Sequence, residues 1–110
     1  MESLRSDGKA VDVLLTQLVE KGYPVYADGF FGIAMQSGSS GDTIAIEVAE
    51  REFEVTVVNG TVAAKGDILY IHADGTIDAT SGAGKAFMKV TVAKDANDIV
   101  WGKLLPQVTA

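Results

Sequence analysis

The chain has no cysteine among its 110 residues. That excludes a disulfide framework, zinc–thiolate sites and a thiolate nucleophile. No stretch approaches the ~20 apolar residues that a membrane span needs. The first residues, MESLRSDGK, lack the apolar run of a signal peptide. The expectation is a soluble protein with no membrane partner. Basic residues are scarce as well: nine Lys and Arg face fifteen Asp and Glu, for a net charge of −6. Arg5, Lys9, Lys21, Arg51, Lys65, Lys85, Lys89, Lys94 and Lys103 are dispersed along the chain. Such a chain repels a phosphate backbone unless its few cations gather, so no nucleic-acid partner is expected.

What is present suits one small domain. Apolar residues make up 47% of the chain, and a chain of this length buries roughly two-thirds of its unfolded surface. Residues 1–9 are polar and read as a flexible N-terminal arm, with a single β-rich domain over 10–110. Segment 10–21 fits two readings, strand or short helix. Val11, Leu14, Leu15, Leu18 and Val19 fall at helical spacing, whereas Val11, Val13 and Leu15 alternate as in a strand.

Strand signals dominate thereafter. YPVYADGFFGIAM is split by Asp28-Gly29, a hairpin turn pair. SGSSGD is a loop, and TIAIEV and FEVTVV alternate on opposite parities. Because one slipped residue exchanges the two faces of a strand, the phase change between Ala49 and Glu52 implies a bulge or bend. Asn59-Gly60 and Asp74-Gly75 are turns, and DILYIHA, TIDAT, AFMKVTVA and IVWGKLL are strands. In AFMKVTVA, Met88, Val90 and Val92 are expected to face the core and Lys89 the water. Short strands separated by Gly, Asp and Asn turns predict a mainly β fold, a small barrel or sandwich of antiparallel strands.

Candidate chemistry is sparse. DATSGAGKAFMK resembles a phosphate-holding loop, but Ala79 stands where the first glycine belongs and Ala86 where the hydroxyl belongs. A strand follows it where a helix N-terminus should offer its amides. The Met88-Lys89 pair offers a biotin-type carrier reading, with Lys89 modified, yet Lys89 falls within a strand and not on a turn. His72 is the only histidine and has no nucleophile or orienting partner at a recognisable spacing. The carboxylates of EVAEREFE read as the wet face of an edge or bulged strand, where charge deters unwanted pairing. No catalytic, cofactor or metal residues are assigned. Of the adjacent Phe30 and Phe31 only one can face the core; the other, like the sole tryptophan Trp101, is a candidate contact anchor.

The order of phrases adds a family. Gly22, Pro24 and Val25, then Gly32-Ile33-Ala34, then Gly41-Asp42 leading into an alternating strand, then Gly66-Asp67 and Tyr70, resemble the phage capsid decoration, or cement, proteins over roughly 22–105. Some members of that family have been labelled phage recombinases of the RecA type, which the failed phosphate-loop match does not support. The chain departs from its relatives at Arg51, where they commonly have glycine. The resemblance implies a non-enzymatic virion protein, made in the host cytoplasm, that binds the outer surface of the head. It would act as a homotrimer clamping the major capsid protein and stabilising the shell. Candidate contacts to the coat or within the trimer are Met1, Glu2, Ser3, Leu4, Arg5, Phe30, Phe31 and Trp101, with loops 37–42 and 81–84. The alternatives are another virion β-domain, such as a head-fibre base or tail-associated module, and the Lys89 carrier.

Overall fold

The computed structural model describes residues 9–82 and 84–107. The arm's first eight residues, and with them the candidate contacts Met1 to Arg5, lie outside the described residues. Among the described residues nine strands form two antiparallel sheets. The first sheet holds β1 (Ala10–Leu14), β2 (Pro24–Ala27), β3 (Phe30–Ala34) and β4 (Thr43–Glu47), in the order β1-β4-β3-β2. The second holds β5 (Glu52–Thr56), β6 (Ile68–Ile71), β7 (Ile77–Asp78), β8 (Lys85–Val92) and β9 (Ile99–Leu104), in the order β5-β9-β8-β6-β7. The chain is therefore mainly β, as its turn-punctuated alternation predicts.

Segment 10–21 opens with a strand, over Ala10–Leu14, and not with a helix. β1 pairs along its whole length with β4, and the chain then continues without regular structure to the isolated bridge Val19↔Gly38. A helix would have placed Leu14 and Leu18 on its apolar stripe, but they are 50% and 72% exposed, while Val13 and Leu15 are buried. Pairing with β4 satisfies the backbone of β1 and buries the alternating set, which outweighs the helical spacing.

The parity change between Ala49 and Glu52 marks the crossing from one sheet to the other. Ile44, Ile46 and Val48 are buried in one core cluster, and Val55 and Val57 in another, with Phe53 packed against it. At the crossing the Arg51 carbonyl accepts from the Leu104 amide at 2.9 Å, and the Arg51 guanidinium meets Glu47 Oε2 at 2.7 Å. The Arg51 head thus returns to the strand just left.

The β2–β3 hairpin lies between the two clusters. Its turn uses Asp28 (φ 55°) and Gly29 (φ 83°), both left-handed, which matches the twist of a two-residue hairpin. Phe31 and Ile33, with Tyr26, face the cluster under the second sheet; Val25 and Ala34, with Ala27, face the other. Gly32 is fixed by close approach, since a Cβ there would run into the Glu47 carbonyl. β4 reaches β3 only at Ile33 and Ala34, which leaves the Phe31 backbone unpaired on that side. Gln107, beyond the last strand, takes the place of a neighbouring strand. Its Oε1 accepts from the Phe31 N–H at 3.0 Å and its Nε2 donates to the Phe31 carbonyl at 2.7 Å.

Two bulges shape β8. Leu69 pairs with Met88 but Tyr70 with Ala86, so Phe87 is the extra residue, and both Phe87 and Met88 are buried. Val90 pairs with Gly102 but Val92 with Trp101, so Thr91 is extra. The second bulge overturns the expected inward facing of Val92: Met88 and Val90 are buried, but Val92 is 51% exposed. One inserted residue reverses the face for everything after it.

The β6–β7 hairpin is closed by side chains. His72 Nε2 donates to Asp78 Oδ1 at 2.7 Å, and the same oxygen accepts from the Thr80 amide at 2.9 Å. The His72 bond, ahead of the Thr80 amide, holds the Asp78 carboxyl below its ordinary value of 3.8 despite the opposing effect of burial. In the turn itself, the Thr76 hydroxyl and then the Thr76 amide lower Asp74 in the same way.

Two outcomes test these supports. Gln107→Ala leaves the Phe31 amide and carbonyl without partners beside a buried ring and should cost ~1–3 kcal/mol in urea unfolding; an unchanged midpoint would contradict the bridging role. A carboxyl depressed in the folded state stabilises above its unfolded value, and the gain is lost as pH falls through the folded value. Wild-type thermal stability should therefore fall as the pH is lowered through and below the ordinary carboxyl value of 3.8, and Asp78→Asn should flatten that drop. Superimposable acid limbs would contradict it.

Candidate functional site

The glycine run that resembles a phosphate loop has a packing role. The Gly84 amide donates to the Ser81 carbonyl at 2.8 Å, closing a turn, and β8 begins at Lys85. A Cβ on Gly84 would meet His72 Cε1 at 2.8 Å, so the glycine makes room for the imidazole. Without a helix N-terminus after the loop, no row of free amides faces a phosphate. Lys89 lies in mid-strand, opposite Ile68 on one side and Lys103 on the other. It is not on the tight turn that a carrier lysine occupies.

His72 has the orienting partner that its sequence neighbourhood does not advertise. Asp78 is six residues on, and the Asp74-Gly75 turn between them brings the two together. With the carboxylate bonded to the imidazole and to Thr80, the pair supports a hairpin. Among the described residues no group of three or more His, Asp or Glu is placed to hold a metal ion.

The two phenylalanines divide as strand alternation requires. Phe31 is 2% exposed, and its ring meets Phe87 edge-on at 5.7 Å and 62°. It belongs to the core, and Phe30, 38% exposed, is the member left at the surface. Trp101 stands on the outer face of the second sheet, 43% exposed, with Val92 opposite it on β8 and Glu54 opposite it on β5. The second bulge makes this patch, because it turns Val92 outward beside the indole. β5 is an edge strand, and Glu52 and Glu54 are exposed on it, in keeping with the guarded edge expected of EVAEREFE.

Beside the Trp101 patch the fold gathers cations that are scattered in the sequence. Lys65, Lys89 and Lys103 line one open groove of ≈ 360 Å³, whose apolar lining includes Val90, Leu104, Leu105 and Pro106 and whose one carboxylate is Glu50. This corrects the expectation of dispersed charge. Lys89 and Lys103 are direct cross-strand partners on β8 and β9. Lys65 joins them because its loop runs along β8, where the Gly66 amide donates to the Val90 carbonyl and the Val90 amide to the Asp67 carbonyl, both at 2.8 Å. A periodicity of two along each strand gives no sign of this, since it depends on register between strands. A second groove of ≈ 380 Å³ lies between the sheets, along the edge of β5, with Tyr23, Pro24 and Thr76 on its other wall.

Known proteins give this surface a setting. The structure is similar to the head fiber gp8.5 N base of bacteriophage phi29, with a TM-score of 0.50 over 92% of this chain and 98% of that one. The identity is 14%, so the likeness is one of fold. No curated protein sequence matches the chain. The model of the phage cement protein family matches residues 5–104, and neither that match nor the Ser81–Gly84 turn supports a RecA-type label. A match over nearly the whole length settles the assignment: this chain belongs to the phage cement protein family, a structural component of the phage virion on the outer surface of the capsid.

Proposed function

We propose that the protein bridges major capsid protein subunits from outside the head, as a homotrimer, and stabilises the shell by contact and not by chemistry. The observation that carries this reading is the Trp101 patch, a large aromatic side chain left 43% exposed on the outer sheet face beside an exposed valine. Aromatic residues that become desolvated at the centre of an interface supply much of its binding energy. A charged rim already surrounds this one, with Glu54 across the ladder and Lys103 two residues along β9.

The benefit to a shell follows from multivalency. A packed head is pushed outward from within. A clamp joining several subunits adds interface that must break before they part, and modest individual contacts sum once one of them has tethered the rest. Phe30 and the arm residues Met1, Glu2, Ser3, Leu4 and Arg5 are further proposed contacts to the coat or the trimer partner. The fold likeness to a head-fibre base favours a second reading, in which the same body seats a fibre on the capsid.

Trp101 is the only tryptophan, so its fluorescence reports on this face alone. Addition of empty capsids should shift its emission to the blue, and Trp101→Ala should weaken co-sedimentation roughly tenfold or more while far-ultraviolet circular dichroism is retained. Equal pelleting of the two proteins would remove the patch from the interface. Deletion of 1–8, which spares the bond from the Val48 amide to the Lys9 carbonyl, should weaken pelleting without unfolding the domain; unchanged pelleting would exclude the arm. Sedimentation equilibrium should give a trimer mass, and a monomer both free and bound would sink the trimeric clamp.

A further inference from the structure

We propose that the groove between the Lys65 loop and the β8–β9 ladder binds a carboxylate-rich segment of a protein, and that on the virion this acidic segment belongs to the coat, a part that rests on the cement reading above. Three of the chain's nine cations meet at this groove in a protein of net charge −6. Among the described residues none of Lys65, Lys89 and Lys103 makes an ion pair.

The register makes the arrangement unfavourable for the free protein. Lys89 and Lys103 stand directly opposite each other, and like charges in that position repel. Glu52 is the cross-strand neighbour of Lys103 on the other side, but its carboxylate accepts from the Thr91 hydroxyl. Thr91 reaches it as the extra residue of the second bulge. Glu50 is the one carboxylate on the groove's lining. An incoming carboxylate would relieve the lysine repulsion that the fold leaves standing.

The shape selects a peptide over other anions. Half-buried Leu105 and exposed Pro106 give the groove an accessible apolar wall suited to side chains between acidic residues. A nucleic acid long enough to contact all three lysines would continue over exposed Glu52 and Glu54 on the same sheet face, and the whole chain repels it. Carboxylates placed within the groove feel the three lysines, and with them Glu50 and Glu52, inside one Debye length, about 8 Å at physiological salt, and acidic residues beyond that length far less.

The test uses the isotope-labelled full chain and a capped hexaglutamate peptide. At low salt the peptide should shift amides of residues 63–67, of β8 and of the end of β9, and the shifts should vanish near 1 M salt, where screening acts within about 3 Å. Lys89→Glu should weaken peptide binding roughly tenfold. It should also raise the melting temperature by about 1–5 °C, because it sets a carboxylate opposite Lys103. Lys89→Gln should weaken binding less, and a merely structural lysine would not move binding and stability in opposite directions. Absence of shifts with hexaglutamate overturns the groove, and equal or tighter binding of a thymidine oligonucleotide at the same amides overturns the choice of a protein segment. If wild type pellets with empty capsids and Lys89→Glu pellets equally well, the coat assignment fails and the cement reading survives. If wild type does not pellet, the cement reading and the coat assignment fail together, and the peptide titration still decides the groove.

Discussion

The β2–β3 hairpin is packed on both faces, and the rest of the molecule depends on that. Phe31 and Ile33 complete the cluster under the five-stranded sheet, while Val25 and Ala34 complete the cluster inside the four-stranded one. Neither sheet has to be covered by helices, because each closes over one side of the same short hairpin. The consequence is a hairpin with almost no tolerance: a glycine where β4 passes, a turn with two left-handed residues, and a backbone gap at Phe31 filled by the Gln107 amide. That last bond ties residue 107 to a strand 76 positions earlier, so the chain's closing stretch is part of the first sheet's support.

With the inner faces committed in this way, the outer face of the five-stranded sheet is free to carry contacts. Its character is set by the Thr91 bulge. Without the insertion Val92 would lie beneath the sheet with Val90, and Trp101 would stand alone. With it the indole gains an apolar neighbour, and Thr91 engages the Glu52 carboxylate beside Lys103. One extra residue thus gives the surface an aromatic patch, next to the lysine groove that the β8–β9 register and the Lys65 loop form. In this member of the phage cement protein family the outer surface is thus shaped by strand register.

The candidate chemistry in the sequence resolved into packing. Gly84 accommodates an imidazole, His72 and Asp78 brace a hairpin, and Lys89 is a strand residue. Only some of this was legible in the sequence. The failed spacing of the phosphate loop and the mid-strand place of Lys89 could be read from the letters, but the His72–Asp78 bond could not, because it depends on the geometry of the Asp74-Gly75 turn. Phe30 and Phe31 could be recognised as a divided pair; which of them is core depends on which side of β3 meets Phe87.

The sequence by itself determined the local facts: a β-rich chain, the Asp28-Gly29 hairpin, the alternating strands, and the break in parity between Ala49 and Glu52. These follow from backbone preferences of single residues and from the two-residue period of a strand, both short-range properties. Only the tertiary structure decided that the break is a change of sheet, that segment 10–14 is strand and not helix, that Val92 faces outward, and that Lys65, Lys89 and Lys103 share a groove. All four turn on which strands pair and in what register. Register is fixed by satisfying backbone groups and burying apolar faces across the whole molecule at once, and no window of the sequence contains that information.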